Sequence, residues 1–133
     1  MKFPRYHDLS LLLLRLTFGA FMLYGHGWGK LFRLFGDDPI RFADPFGLGA
    51  PASLALATFA EIICAAMVAL GLLTRWALIP LIITMYVATF IAHGDDGFRE
   101  MEKPLIYFLT YIALFLAGPG KYSLDAKIGK GKW

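Results

Sequence analysis

The sequence is poor in charged residues and nearly devoid of cysteine. Only 17% of its 133 residues are charged, whereas 58% are hydrophobic, well above the apolar share of soluble domains. The single cysteine, Cys64, excludes a disulfide or a thiol–disulfide relay within the chain. The net charge of +3 is no signal for nucleic-acid binding, and the lysines that concentrate in the tail suit an anionic membrane surface better. These features predict a polytopic membrane protein.

The apolar residues fall into four long runs separated by polar loops. About 20 mainly apolar residues suffice to cross the hydrocarbon core of a bilayer. We therefore predict an all-α integral membrane protein, a four-transmembrane-helix bundle in a single membrane domain covering residues 1–133. The predicted spans are about 9–31, 51–73, 76–92 and 98–117, and residues 118–133 form a basic tail that we expect to be solvated. The first run holds an arginine and lacks a small-residue cleavage site, so we expect it to remain as a span.

Four spans place both termini on the same side of the membrane. Seven basic residues fall on the side of the termini and five on the opposite side. Because cytoplasmic loops carry an excess of Lys and Arg, both termini are predicted to be cytoplasmic.

Two charged residues lie inside predicted spans, where a charge is costly and needs a partner. Counting the helical rise, Arg15 lies about 10 Å below one surface and Glu61 about 15 Å below the other. In a core of about 30 Å these depths nearly coincide. The sequence therefore predicts a buried Arg15–Glu61 ion pair, with either a purely structural or a functional role.

Histidine and aromatic residues mark the opposite end of the bundle from the termini. His26 ends the first span and His93 ends the third at about the same level. We expect Trp28 and the stripes Tyr86/Thr89/His93 and Tyr107/Thr110/Tyr111 to line a polar, aromatic chamber that opens outward. Gly25 and Gly29 form a GxxxG pair, which predicts close helix approach.

Several roles for His26 stay open from the residues alone. It could bind a backbone carbonyl at the interface, handle protons, or contact a ligand. A haem held by His26 and His93 would lack an attachment motif. A metal site formed by His26, His93 and Asp95 cannot be placed from their spacing.

Four features together resemble the DoxX family of small bacterial and archaeal membrane proteins. They are Arg15 in the first span, the ending Gly25-His26-Gly27-x-x-Lys30, the Glu61 span closing in GLLTR at 71–75, and GPGKYSLD at 118–125. The resemblance implies a four-helix bundle in a prokaryotic inner membrane, with the family's charged positions falling on Arg15, His26, Lys30 and Glu61. It also implies a quinone-linked redox context, since related proteins are described as subunits of thiosulfate:quinone oxidoreductase, terminal quinol oxidase and redox-stress complexes.

The resulting functional hypothesis is a subunit of a quinone-dependent oxidoreductase. The chain carries no haem, flavin or nucleotide motif, so electron transfer would need a partner protein, soluble or in the membrane, or a diffusible quinone. Catalytic roles are assigned to His26, Glu61 and Arg15, and quinone contacts to Trp28, Lys30, Tyr86, His93, Tyr107 and Tyr111. A small transporter or channel, and a scaffold for a soluble redox enzyme, are the alternatives, and a homo-oligomer is open.

Overall fold

The computed structural model describes residues 4–40, 44, 46–92 and 97–129, and the regular structure in these ranges is entirely helical. In chain order, its α-helices are α1 (Pro4–Met22), α2 (Trp28–Leu34), α3 (Ala50–Phe59), α4 (Ala65–Leu70), α5 (Thr74–Tyr86), α6 (Phe98–Ala117) and α7 (Leu124–Lys127). The prediction of an all-α protein is confirmed for this part of the chain.

Three continuous helical segments are long and apolar enough to cross a membrane. They are Tyr6–Leu34, Ala50–Leu70 and Thr74–Ile91, named spans 1, 2 and 3 here. Each overlaps the span predicted from the sequence. Span 2 stops at Leu70 because Gly71 adopts the left-handed conformation, with φ of 73°, and ends the helix.

The fourth predicted span coincides with α6, which keeps the predicted bounds of Phe98 and Ala117. The first two turns of α6 carry the charged residues Arg99, Glu100, Glu102 and Lys103. Because of these charges α6 is not among the three helices whose length and composition suit a membrane crossing. It packs along α5 and buries Tyr107, Tyr111 and Leu114.

A π-helical turn interrupts spans 1 and 2, and a third one ends span 3. The turns are Leu23–Gly27 in span 1, Ala60–Cys64 in span 2 and Val87–Ala92 in span 3. π turns are rare and occur frequently at functional sites, because they change the direction of side chains within a helix. In this chain they hold three polar residues of the interior, His26, Glu61 and Thr89.

Backbone contact between spans 1 and 2 is made at two glycines. A methyl group on Gly19 would lie 2.8 Å from the Ala65 carbonyl oxygen, and one on Gly27 would lie 2.6 Å from the Glu61 carbonyl oxygen. The predicted GxxxG contact is wrong for this fold, since added methyl groups at Gly25 and Gly29 would have no heavy atom within 4 Å among the residues described. The sequence spacing was compatible with a contact through Gly25 and Gly29 or through Gly19 and Gly27. The π turn directs Gly27 towards span 2.

These contacts predict opposite effects of alanine at neighbouring glycines. Gly27→Ala should lower the free energy of unfolding by about 1–3 kcal/mol, because backbone atoms of span 2 cannot move aside easily. Gly25→Ala and Gly29→Ala should be neutral or stabilising by up to about 1 kcal/mol, because alanine restricts the unfolded chain. Thermal unfolding in detergent measures the difference, and equal losses at Gly25 and Gly27 would contradict this register.

The segment before span 2 is organised by Asp44. Its carboxylate accepts hydrogen bonds from the backbone N–H groups of Leu48 and Gly49, at 2.9 and 2.8 Å, and from the Ser53 hydroxyl at 2.9 Å. The Gly49 hydrogen bond is the main cause that lowers the pKa of Asp44. The aspartate thus joins the loop to the first turns of α3.

Candidate functional site

Two clusters of polar groups lie near opposite ends of span 1. The first, named the His26 cluster, consists of His26, Lys30, Glu61, Tyr107 and Tyr111. The second, named the Arg15 cluster, consists of Arg15, Thr74, Tyr122 and Asp125.

Glu61 is the buried acid of the His26 cluster. Glu61 is 1% exposed, and Lys30 Nζ donates a hydrogen bond to Glu61 Oε1 at 2.9 Å. Lys30 is 20% exposed, so the ion pair joins the protein interior to its surface. A buried carboxylate needs such a partner, because desolvation of an unpaired charge costs several kcal/mol.

His26 packs against the edge of an aromatic ring. The His26 and Tyr107 ring centroids lie 5.3 Å apart with the planes at 77°. The ammonium groups of Lys30 and Lys103 are near enough to interact with the imidazole electrostatically. Nε2 is shielded from solvent, and no group of the described residues forms a hydrogen bond with it. No backbone carbonyl of the described residues therefore binds this nitrogen, as one of the alternatives for His26 required.

The two tyrosines of α6 complete the inner face of the cluster. Tyr111 is fully buried and donates its hydroxyl to the Phe18 carbonyl at 2.9 Å. The Tyr107 ring stacks edge-on against Phe18 and lies 5.9 Å from the Tyr111 ring. Both tyrosines thus point inward, as predicted.

Two other residues assigned to quinone binding, Trp28 and Tyr86, do not join this cluster in the structure. Trp28 is 48% exposed and stacks on Phe32, and Tyr86 is 49% exposed and packs on Phe90. Their predicted place in the chamber is wrong, because π turns rotate the following or preceding residues away from an α-helical stripe. His93 lies outside the described residues.

Arg15 was predicted to pair with Glu61, and this prediction is wrong. Gly27 is level with Glu61, whereas Arg15 is level with Gly71, where an added methyl group would lie 2.6 Å from Arg15 Nη1. The helical rise between Arg15 and Gly27 is about 18 Å, so the arginine cannot reach the acid. Its predicted catalytic role beside Glu61 therefore has no geometric support.

The Arg15 guanidinium instead binds backbone carbonyls at the other end of the fold. Nη1 donates to Val68 and Ala69 at 3.4 and 3.1 Å, and Nη2 donates to Tyr122. This arrangement joins spans 1 and 2 to the segment that follows α6.

Sequence reasoning missed Asp125, which it placed in a solvated tail. Asp125 is 3% exposed, and its carboxylate accepts hydrogen bonds from the N–H groups of Leu73 and Thr74 and from the Thr74 hydroxyl. It caps the N-terminus of α5 and also interacts electrostatically with Arg15. One sequence signal could have indicated an ordered segment here: the Gly-Pro-Gly stop is followed by Ser123, a residue type that often caps a helix. In the structure the Ser123 hydroxyl caps α7 by accepting from the Ala126 N–H.

The chemistry of the two clusters differs. The Arg15 cluster is saturated with internal hydrogen bonds, apart from Arg15 Nε, which suits a structural role. The His26 cluster joins an acid, a base and an unpaired imidazole nitrogen in an apolar surrounding, which suits ligand binding and proton transfer. No group of three His, Cys, Asp or Glu side chains suited to a metal occurs within the described ranges, and His93 and Asp95 lie outside them.

The sequence features quoted for the family divide between these clusters. Arg15, the 71–75 turn and the 118–125 segment meet in the Arg15 cluster, whereas His26, Lys30 and Glu61 meet in the other. Features that are far apart in the sequence thus specify one structural assembly and one candidate site.

Comparison with known proteins supports the family resemblance. An uncharacterised protein of Haemophilus influenzae is 35% identical over 102 residues, covering 72% of this chain and 67% of the relative. An uncharacterised membrane protein of Mycobacterium tuberculosis is 32% identical over 125 residues, covering 77% of each chain. No solved structure matches. The DoxX family model matches residues 10–94, which include Arg15 and the whole Lys30–Glu61 pair, and the chain belongs to the DoxX family of membrane proteins.

Proposed function

We propose that this membrane protein binds quinone or quinol at the His26 cluster and acts as a subunit of a quinone-linked redox complex. The observation that carries the proposal is the buried His26 Nε2, which lacks a hydrogen-bond partner in the described part of the chain. A buried polar atom without a partner costs free energy, so its retention calls for a functional explanation.

The residues present fit a quinone head group. Nε2 can donate to a ring carbonyl or accept from a ring hydroxyl, depending on the tautomer. The Tyr107 and Phe18 rings offer aromatic surfaces beside it. Because the nitrogen is shielded from solvent, a ligand reaches it only if neighbouring side chains move. A bound quinone would supply two-electron, two-proton redox chemistry, with electrons exchanged through a partner protein.

Glu61 and Lys30 are proposed to handle the protons. Glu61 is buried and paired with Lys30, which interacts electrostatically with the imidazole and connects the acid to the protein surface. A carboxylate that exchanges its proton against the imidazole or a ligand oxygen is a suitable general acid and base in such a site. Lys30 holds the anionic form in place between these exchanges by its direct hydrogen bond.

We also propose that α6 is a fourth membrane span and that both termini face the cytoplasm of a prokaryotic cell. The charges of α6 are confined to its first two turns, and the rest, residues 104–117, is about 21 Å long. Packing of α6 along α5 would complete a four-helix bundle. The excess of basic residues on the side of the termini supports the orientation.

Binding of decylubiquinone to purified protein in detergent tests the function. Saturating decylubiquinone should raise the melting temperature of the wild-type protein, and His26→Ala should weaken binding about tenfold through loss of the hydrogen bond and the ring contact. His7→Ala is the matched control, because His7 is an exposed histidine on the same helix.

Two results would contradict the proposal. The first is the absence of any thermal shift with saturating decylubiquinone. The second is equal weakening by His7→Ala and His26→Ala. Proton flux through vesicles that depends on Glu61 without added quinone would instead favour a small transporter.

A further inference from the structure

We propose that Thr89 is the second polar contact for the ligand and binds the ring oxygen opposite the one held by His26. This inference rests on the proposed quinone-binding function. It assigns a binding role to a residue of span 3 that is about half the chain length away from His26 in the sequence.

Thr89 is exceptional among the threonines of the spans. It is 0% exposed, and its Oγ1 forms no hydrogen bond with the described residues. By contrast, the Thr58 hydroxyl donates to the Leu54 carbonyl, and the Thr84 hydroxyl donates to the Pro80 carbonyl, both at 2.7 Å. A buried threonine in a helix usually satisfies its hydroxyl in this way, by bonding the carbonyl four residues earlier.

The π turn Val87–Ala92 accounts for the difference. In a π turn the backbone pairs residues five apart, so the carbonyl four residues before Thr89 no longer lies where an α-helix would place it. The hydroxyl is thereby left available to another partner. Among the described residues, the other buried, uncharged side-chain atom without a hydrogen bond is His26 Nε2, and His26 also lies on a π turn, Leu23–Gly27.

Aromatic stacking fixes the level of Thr89 in the bundle. The Tyr86 and Phe90 rings lie 6.0 and 5.8 Å from the Phe108 ring on the outer side of the contact between span 3 and α6. Thr89 directly precedes Phe90 but is buried, and Tyr107 directly precedes Phe108 and is also buried. Thr89 and Tyr107 therefore lie on the inner side of this helix contact at the same level.

The same Tyr107 ring contacts His26. Two shielded, unpaired polar atoms thus lie at the level of one aromatic ring, one on span 1 and one on span 3. The chemistry that matches is a flat ring with oxygens at opposite edges. A threonine hydroxyl and an imidazole nitrogen can each donate to a carbonyl or accept from a hydroxyl, so the pair suits both quinone and quinol.

Thr89→Val separates a binding role from a structural one. Valine has a similar shape and removes the hydroxyl, so the affinity for decylubiquinone should fall about fivefold to tenfold, the equivalent of one hydrogen bond. The melting temperature without ligand should stay unchanged or rise, because an unpaired buried hydroxyl is removed. Thr89→Ser, which keeps the hydroxyl, should retain most of the affinity. Thr84→Val, the matched control, should leave affinity unchanged.

The outcomes distinguish this inference from the proposed function. If His26→Ala weakens binding and Thr89→Val does not, the assignment of Thr89 is wrong and the function stands. If Thr89→Val weakens binding and also lowers the melting temperature of the free protein, Thr89 is structural and the assignment is wrong. If wild-type protein binds no decylubiquinone, the function and the assignment are both refuted.

Discussion

Replacing Arg15 with alanine is expected to lower the free energy of unfolding by about 3–5 kcal/mol. The guanidinium is fully buried and donates to the backbone carbonyls of Val68, Ala69 and Tyr122. The Val68 carbonyl keeps the Gly71 N–H as a partner, so the loss falls on the other two carbonyls. Each carbonyl left unpaired in an apolar surrounding costs about 1–3 kcal/mol. The substitution also removes the cation that faces Asp125. Few single changes combine these losses, so this effect should be among the largest in the chain.

Unfolding in detergent, followed by heat or denaturant, measures this loss against two companion variants. Arg15→Lys keeps the charge but not the planar fork that reaches several carbonyls, so an intermediate loss is expected. Arg99→Ala, at an exposed position of α6, should change stability by less than about 0.5 kcal/mol. An Arg15→Ala protein as stable as the Arg99→Ala protein would show that the Arg15 cluster does not hold the fold together.

The helices themselves were accessible from the sequence because hydropathy is a local property. Apolar runs and their breakers predicted α6 with its observed bounds, Phe98 and Ala117, and placed the other spans within a few residues. The error at the end of span 2 came from Gly71, whose left-handed backbone ends the helix before the apolar residues run out.

The vertical offset between helices was not accessible, because it depends on which small residues meet. The predicted depths of Arg15 and Glu61 assumed that each helix starts where its apolar run starts. Span 1 belongs to a helix that begins earlier, at Pro4, and contact of Gly19 and Gly27 with span 2 sets the offset. Arg15 and Glu61 are consequently about 18 Å apart along the axis.

The direction in which individual side chains point was predicted correctly only where the helices are regular. Tyr107 and Tyr111 lie on the unbroken α6 and face inward as expected. Trp28 and Tyr86 adjoin π turns, which a count of 3.6 residues per turn cannot anticipate, and both face outward. Asp125 was missed for a different reason, since its partners at 73–74 are about fifty residues away in the sequence.

Replacing Lys30 with methionine is expected to lower the free energy of unfolding by about 2–4 kcal/mol. The substitution leaves the Glu61 carboxylate without its cation at a position that is 1% exposed. The reverse change, Glu61→Gln, should cost only about 1 kcal/mol, because the 20% exposed Lys30 ammonium can turn towards water. The asymmetry follows from the unequal burial of the two partners.

A double-mutant cycle on unfolding free energies decides which cation serves Glu61. Lys30→Met and Glu61→Gln should couple by about 2 kcal/mol, so that the double variant is more stable than the sum of single losses predicts. Arg15→Lys and Glu61→Gln should be additive within about 0.5 kcal/mol, because the two side chains share no partner. Strong coupling to Arg15 and none to Lys30 would restore the ion pair expected from sequence depth and refute the helix register described above. Because the candidate site depends on this register, its assignment to His26, Lys30 and Glu61 would be refuted as well.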